Sequence, residues 1–390
     1  MKAASGAGAA RRPRLGVDFH VWDGIFQGSR SHLIGLYRAA IVQAPEIDFI
    51  FFLAHPDDLA RAHAEFTAPH VRLVGMPHRP APWRLGWQLP RLQRQHGLDL
   101  LHMQYRLPLR LPLPFLPAGA CACTLHDVLY ETHPQFFSPS FVWQSRLTGR
   151  SAARRSALLF TVSEYSRDEI VRLYCVPREA VAITRNGVDF ERFQPGDAGA
   201  DAVRALGLEP GNYLLTLGRL EPRKNHVTLL RAYASLGADA PPLVIVGQRD
   251  FSYGAVFDEI QRLRLGTRVR LLERVGDEAL PAVLRHARLF VYPAFAEGFG
   301  MPVAEAMASG VAVITSNTSS LPEVAGDGAL LIDPHSPEAL GAAMARVLAD
   351  AGLRASLVQA GLQHVQQFSW QLSAAVFVAA LRRHFAGGLA

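Results

Sequence analysis

The sequence predicts an α/β protein of two doubly wound, Rossmann-like domains facing each other across a cleft. Short apolar runs of strand length alternate with helical stretches, a polar break interrupts the alternation midway, and beyond the break it restarts. Length agrees: at roughly 100–200 residues per domain, a chain of 390 residues holds two. With 49% hydrophobic and 19% charged residues, either half can bury a core of its own.

The first half opens with a strand at Leu15–Phe19, the loop HVWDGIFQGS and an amphipathic helix from about Ser31. Further strands are expected at Asp48–Leu53, Val71–Val74, Leu98–Met103, Cys121–Leu125, Leu158–Val162 and Ala180–Thr184, with helices such as Ser140–Arg154 and Tyr165–Tyr174 between them. Apolar runs of this length, separated by helices, build a mostly parallel sheet covered on both faces. The polar stretch Phe193–Asn212 carries Gly, Asp and Pro and joins the halves, which divide at 1–195 and 196–368. After it, strands are expected at Tyr213–Leu217, Leu243–Val246, Val269–Leu272, Leu289–Tyr292, Val311–Thr315 and Ala329–Ile332, and the chain is helical from Pro337.

A net charge of +6, dominated by arginine, suits anionic partners such as nucleotides, diphosphate lipids or membrane headgroups. Nucleic acid has only this net charge in its favour and is not expected as a partner. Cys121, Cys123 and Cys175 lack zinc-finger spacing, and a reducing cytoplasm is the simplest setting for them. The N-terminal MKAASGAGAARRPR lacks the apolar stretch of a signal peptide and reads as a disordered leader. No run approaches the ~18 apolar residues of a membrane span, so a cytoplasmic protein, or one lying on the cytoplasmic membrane face, is expected. Arg79–Pro117 is apolar and basic, with RPAPWRLGW and YRLPLRLPLPFLP. It suits either a membrane surface or lipid-diphosphate acceptor, or a proline-rich loop packed on the first domain.

Ligands of open parallel sheets bind beyond the carboxyl ends of the strands, so chemistry is sought in the loops there. In YPAFAEGFGMPVAEAMAS (292–309) a strand end leads through Glu297, Gly298 and Gly300 to a helix with Pro302 in its first turn and Glu305 inside it. Two carboxylates flanking a glycine-rich helix entry can grip different parts of one ligand, and the entry amides can bind hydroxyls or phosphate. Two solvated glutamates on a plain connection would not need both glycines and the proline. After YLLTL, Arg219 and Lys224 form a basic turn that could neutralise a leaving diphosphate without a metal; a solvated turn is the bland alternative. His126 ends the strand CACTL and can hydrogen-bond a ligand hydroxyl, with Asp127 setting its tautomer or the loop shape. A histidine satisfied within the fold explains that position equally well. Gly28, in Gln27-Gly28-Ser29-Arg30, lets a phosphate approach, but neither the dinucleotide fingerprint nor the P-loop pattern is present.

The block Glu297–Glu305 is a Glu-x7-Glu motif that resembles the family 4 retaining glycosyltransferases of GT-B fold. The resemblance continues through ITSNTSSLPEVAGDGALLIDP (314–334), LGRLEPRKN (217–225), TVSEYSRDEI (161–170), NGVD (186–189) and LHDVLYETHPQFF (125–137). It covers nearly the whole chain and is nearest to mannosyltransferases of bacterial surface-polysaccharide synthesis. It implies a nucleotide-sugar donor, foremost GDP-mannose, a glycan or lipid-linked glycan acceptor, and neither metal nor cofactor. Glu297 would contact donor-sugar hydroxyls, beside backbone amides of Phe299, Gly300 and Met301, while Glu305 would hold the ribose. Arg219 and Lys224 would bind the diphosphate, His126 a sugar hydroxyl, and Val275 the base through its backbone. Gly28 would keep a phosphate or acceptor role. Arg30 stands where many relatives have a second glycine and would clamp an anionic acceptor. A final helix, about Trp370–Phe385 within 369–390, would cross back onto the first domain. Transfer from another nucleotide sugar, and an epimerase or phosphorylase of the same fold, are the competing activities.

Overall fold

A computed structural model describes residues 11–23, 28–108, 119–250 and 252–387. The leader through residue 10, the loop at 24–27 with Gln27, and the leucine- and proline-rich stretch 109–118 lie outside the described residues.

The chain forms two all-parallel sheets. The first contains β1 (Arg14–Asp18), β2 (Asp48–Leu53), β3 (Val71–Gly75), β4 (Leu100–Gln104), β5 (Cys121–Thr124), β6 (Leu158–Thr161) and β7 (Val181–Ile183), in the order β3-β2-β1-β4-β5-β6-β7. The second contains β8 (Leu214–Leu217), β9 (Leu243–Val246), β10 (Val269–Leu272), β11 (Leu289–Tyr292), β12 (Val313–Ser316) and β13 (Ala329–Ile332), in the order β10-β9-β8-β11-β12-β13. Every apolar run read as a strand is one, with ends shifted by a residue or two. Of the two starts displaced by two residues, that of β4 has a packing cause. The β1–β4 ladder begins at Leu15 opposite Leu100, and Leu98 lies against Gly16, where a Cβ would come within 2.2 Å of its side chain. Leu98 is therefore packing rather than ladder.

Strands such as DFIFFL and LFVY are apolar throughout because helices cover both faces of each sheet. The winding reverses between β1 and β4 and between β8 and β11, which makes these two places the switch points where loops diverge and open a crevice. Helix entries on the cleft side are capped: Ser138 accepts from the Phe141 amide and Ser163 from the Ser166 amide.

The final helix, Trp370–Gly387, packs on the first sheet. The Phe377 ring lies 5.6 Å from Tyr37, 5.3 Å from His102 and 5.0 Å from Phe160. At its start the Val188 amide donates to the Phe368 carbonyl at 2.9 Å. Gly35 and Gly187 leave room for the Trp370 ring, which an added Cβ at either would strike. No helix among the described residues is long and apolar enough to cross a membrane.

Because Phe377 is fully buried, Phe377→Ala removes an aromatic anchor that nothing nearby can replace. The expected loss of stability is about 3–5 kcal/mol, seen in denaturant titration as a lower midpoint with an unchanged slope.

Candidate active site

Between the sheets lies a cleft of about 1900 Å³, lined from both domains and by Trp370 and Gln371 of the final helix. A small-molecule site occupies roughly 300–1,000 Å³, so the cleft has room for two substrates together.

On the second-sheet side the loops at the β8/β11 switch point converge on one carboxylate oxygen. Glu297 Oε1 accepts from Lys224 Nζ at 2.6 Å and from the Tyr292 hydroxyl at 3.0 Å, and Arg223 Nη1 lies 2.8 Å away. Lys224 Nζ also donates to the Tyr292 hydroxyl at 2.6 Å. The turn Pro222–Lys224 delivers both cations because Asn225 sits at φ 60°, a left-handed conformation that asparagine tolerates. Its side-chain amide donates to the carbonyls of Pro293 and Pro334, tying the turn to the loops after β11 and β13. Burial pushes the Glu297 carboxyl up, but Arg223 and then Lys224 outweigh it and hold the group at about 2. Before any ligand arrives, the two cations are neutralised by this one carboxylate and by Glu221, which takes Arg223 Nη2 at 2.6 Å.

Gly300, at φ 103°, opens the helix Met301–Ala308 and has Leu321 where a side chain would go. Glu305 lies one turn in and lines the cleft, and no hydrogen bond to its carboxylate is found among the described residues. Burial raises its pKa to about 7, against an opposing pull from Arg192. A carboxylate with open acceptor capacity at the floor of a cleft is fitted to a diol. Across from it, Gly28 is the first residue of the helix Gly28–Gln43, and a Cβ there would lie 3.8 Å from Met301 Sδ. Two helix entries thus face each other over the same space.

On the first-sheet side His126 is buried, its Nε2 3.2 Å from Gln104 Oε1 and its ring 4.8 Å from His32 and 5.3 Å from Tyr105. Burial, reinforced by His32 and His102, holds its pKa well below the usual value, so it meets a ligand as neutral imidazole. Asp127 does not touch that ring. Its Oδ1 accepts from the Leu129 amide at 3.1 Å, so of the two roles read from the sequence it performs the shaping of the loop. Gln104 is the histidine's partner.

The domains meet at Gly298. A Cβ there would lie 2.8 Å from the His126 carbonyl and 2.9 Å from Asp127 Cβ. Its own carbonyl accepts from Ser163 Oγ at 2.6 Å and Ser166 Oγ at 3.2 Å. Nearby, Glu323 accepts from the Glu164 amide at 2.8 Å and pairs with Arg185 at 3.2 Å, capping a first-domain helix from the second domain.

Comparison with known proteins follows the same division. Residues 26–192 match the model described as Glycosyltransferase Family 4, and residues 202–364 that described as Glycosyl transferases group 1. The chain belongs to this family of glycosyltransferases. It is 35% identical over 256 residues to O-antigen chain mannosyltransferase B of Escherichia coli, covering 64% of this chain and 66% of that protein. It is 34% identical over 250 residues to the D-inositol 3-phosphate glycosyltransferase of Streptomyces avermitilis, covering 60% and 53%. The matches thus span half to about two thirds of these relatives' own length. Among solved structures, sucrose-phosphate synthase from Thermosynechococcus elongatus superposes with a TM-score of 0.78 at 22% identity, over 97% of this chain and all of that one. At that identity the likeness is one of fold, the two-domain GT-B architecture.

Of the residues singled out in the sequence of this glycosyltransferase, Glu297, Lys224, His126, Gly28, Arg30, Phe299, Gly300, Met301, Glu305 and Arg219 all line the cleft. The Phe299 ring itself packs edge-on against Phe368 at 5.2 Å. Arg30 stacks over Trp22 at 4.6 Å. Arg219 is half-exposed and paired with Asp250, while Arg223, which sequence reasoning passed over, is the arginine that reaches Glu297. Both arginines stand in one basic turn, and only the turn's curvature tells them apart. Val275 is not among the cleft-lining residues; it packs on the second-domain core, and Asp277 and Leu280 face the cleft instead.

Glu305 sets a pH dependence. With the native pKa raised to about 7, the folded form holds a proton that the unfolded chain releases near the ordinary glutamate value of about 4.3. Its contribution is therefore full at low pH and fades as pH rises to and through 7. Between pH 5 and 8 the wild type should lose up to about 3 kcal/mol relative to Glu305→Gln, measured by denaturant titration of both without nucleotide.

Proposed function

We propose that the protein is a retaining, metal-independent glycosyltransferase that moves a hexose, foremost mannose from GDP-mannose, onto a glycan or lipid-linked glycan in surface-polysaccharide synthesis. One observation carries this reading: Glu297, Lys224 and Arg223 form a single buried ion cluster in the cleft that also holds neutral His126. The cluster supplies a carboxylate for sugar hydroxyls and two cations for a diphosphate, side by side.

When the diphosphate leaves, its charge grows beside Lys224 and Arg223, which stand preorganised in a water-poor site where such charge stabilisation is strongest. A departing phosphate oxygen takes the proton of the acceptor hydroxyl as that hydroxyl attacks the same face, so the anomeric configuration is kept. The protein's share is alignment of the two substrates, which substitutes for bimolecular encounter. Glu305 takes the ribose diol and the entry amides after Gly300 take phosphate or sugar oxygens. Arg219 completes the cationic rim by exchanging Asp250 for phosphate. The relative named as an O-antigen chain mannosyltransferase supports mannose and a polysaccharide product.

The setting we propose is the cytoplasmic face of a membrane. Trp83 and Trp87 are half-exposed, their rings 5.3 Å apart and tilted by 38°, with Arg91 over Trp87, and Trp143 is exposed on a helix with four arginines and no acidic residue. Aromatic and cationic side chains in that mixture suit an anionic headgroup layer.

Two measurements test the reading. Calorimetry should show GDP binding more tightly than UDP or dTDP, with transfer from GDP-mannose unchanged in EDTA; tighter UDP binding removes the GDP assignment, and metal-restored activity removes metal independence. Separately, Glu297→Ala should abolish transfer and leave GDP binding intact. Glu305→Ala should weaken GDP by about 10- to 150-fold, the worth of a charge-assisted hydrogen bond. Equal losses of GDP affinity in both variants would overturn the division of roles.

A further inference from the structure

The switch point of the first sheet, between β1 and β4, holds a second set of charges that the donor chemistry does not use. Asp18, the last residue of β1, is buried and takes Arg84 Nη1 at 3.1 Å on Oδ1 and 2.8 Å on Oδ2, with His20 Nδ1 3.1 Å from Oδ1. His20 and Arg84 together overcome the effect of burial and keep Asp18 ionised. Among the described residues only Nη1 of Arg84 is engaged, and Arg84 lines the cleft. Arg106, from the loop after β4, lines it too. This guanidinium gives one hydrogen bond, Nη2 to Gln144 Oε1 at 3.2 Å, and has no carboxylate partner among the described residues. Burial, and next the charge of Arg84, lower its pKa, which is the mark of a cation left without an anion.

Both arginines are delivered by unusual backbone. Arg84 opens a π-helical turn, Arg84–Gln88, in which the Leu89 amide donates to the Arg84 carbonyl. Such turns are rare and occur often at functional sites. Arg106 follows Tyr105 at φ 60°, the centre of a three-residue turn closed by the Arg106 amide on the Gln104 carbonyl at 2.7 Å. A turn of that hand is strained, and strain of this kind persists where the surrounding fold holds it for a purpose. Two irregularities on separate segments, each setting a guanidinium into the same cleft wall, are poorly explained by packing alone.

We propose that Arg84 and Arg106 form an anion subsite for the acceptor, which takes a phosphate or carboxylate group of the acceptor saccharide or of its carrier. The subsite rests on the glycosyltransferase reading only in calling its ligand the acceptor. The charges separate the roles. Arg223 and Lys224 come from the second domain and share Glu297, whereas Arg84 and Arg106 come from the first domain, where among the described residues Asp18 pairs with Arg84 and no carboxylate pairs with Arg106. An acceptor anion completes the balance, and Arg106 meets it with donors in a planar fork suited to two oxygens.

The test uses the full chain, with and without saturating GDP, and ligand-observed NMR titration of glucose 1-phosphate, glucuronate and the neutral methyl glucoside. At least one anionic sugar should bind about tenfold or more tightly than the neutral one, the worth of a charge-assisted contact. Whichever is preferred identifies phosphate or carboxylate as the group. Arg106→Gln should reduce the preference to about threefold or less, and Arg106→Lys should keep part of it, both with unchanged GDP affinity. Equal binding of anionic and neutral sugars by the wild type overturns the subsite. So does an Arg106→Gln variant that loses GDP as strongly as sugar phosphate, which would place Arg106 on the donor. Failure of every nucleotide to bind removes the donor reading but leaves the anion preference measurable in the nucleotide-free titration.

Discussion

Gly298 is the residue at which the two sheets become one site. Its missing Cβ lets the loop after β11 lie against the loop after β5, in space that any side chain would share with the His126 carbonyl and Asp127. Its carbonyl is held by two serines at a first-domain helix entry, and Glu323 caps the same helix from the other domain. Without this contact the second domain's carboxylate and cations and the first domain's histidine would be parts of two separate surfaces. With it, Glu297, next to Gly298 in the chain, and His126, whose carbonyl Gly298 meets, line a common volume.

The electrostatics of that volume are arranged before any ligand enters. Glu297 stands between Lys224 and Arg223, so neither cation is buried alone and neither is free to attract a stray anion deeply. A buried ion pair of this kind adds little to stability by itself, because removing both charges from water offsets much of their attraction. Its value lies in placement. In the function proposed, a diphosphate that arrives beside the pair finds donors already desolvated and oriented, while the carboxylate remains to meet hydroxyls. His126 adds no third cation to the same space, because burial keeps its imidazole neutral.

The first-domain wall follows a different rule. There, among the described residues, Arg84 has Asp18 and Arg106 has no carboxylate partner, and the backbone that carries them is irregular, a π-helical turn for one and the left-handed Tyr105 before the other. Acceptors differ from one enzyme to another, and loops on a rigid scaffold are where such variation is accommodated.

Strand positions, the parallel character of the sheets and the two-domain division were legible in the sequence, because apolar runs buried on both faces leave a pattern that no distant contact is needed to create. Glu297, Glu305 and Lys224 were legible for a related reason: each stands in a strand–turn–helix segment whose glycines, proline and charges are close in sequence. What only the tertiary structure decided is which charge meets which. Arg219 and Arg223 are equivalent as letters, yet the left-handed Asn225 turn sends one to Glu297 and leaves the other on Asp250. Val275, expected to hold the base through its backbone, packs its side chain on the core, and of its segment Asp277 and Leu280 line the cleft. Gln104 became the partner of His126, and Arg84 and Arg106 came to line one cleft, through the folding together of segments far apart in the chain. Local sequence determines what a segment is, whereas charge partners are set by the three-dimensional closure of sheets, which carries no local pattern.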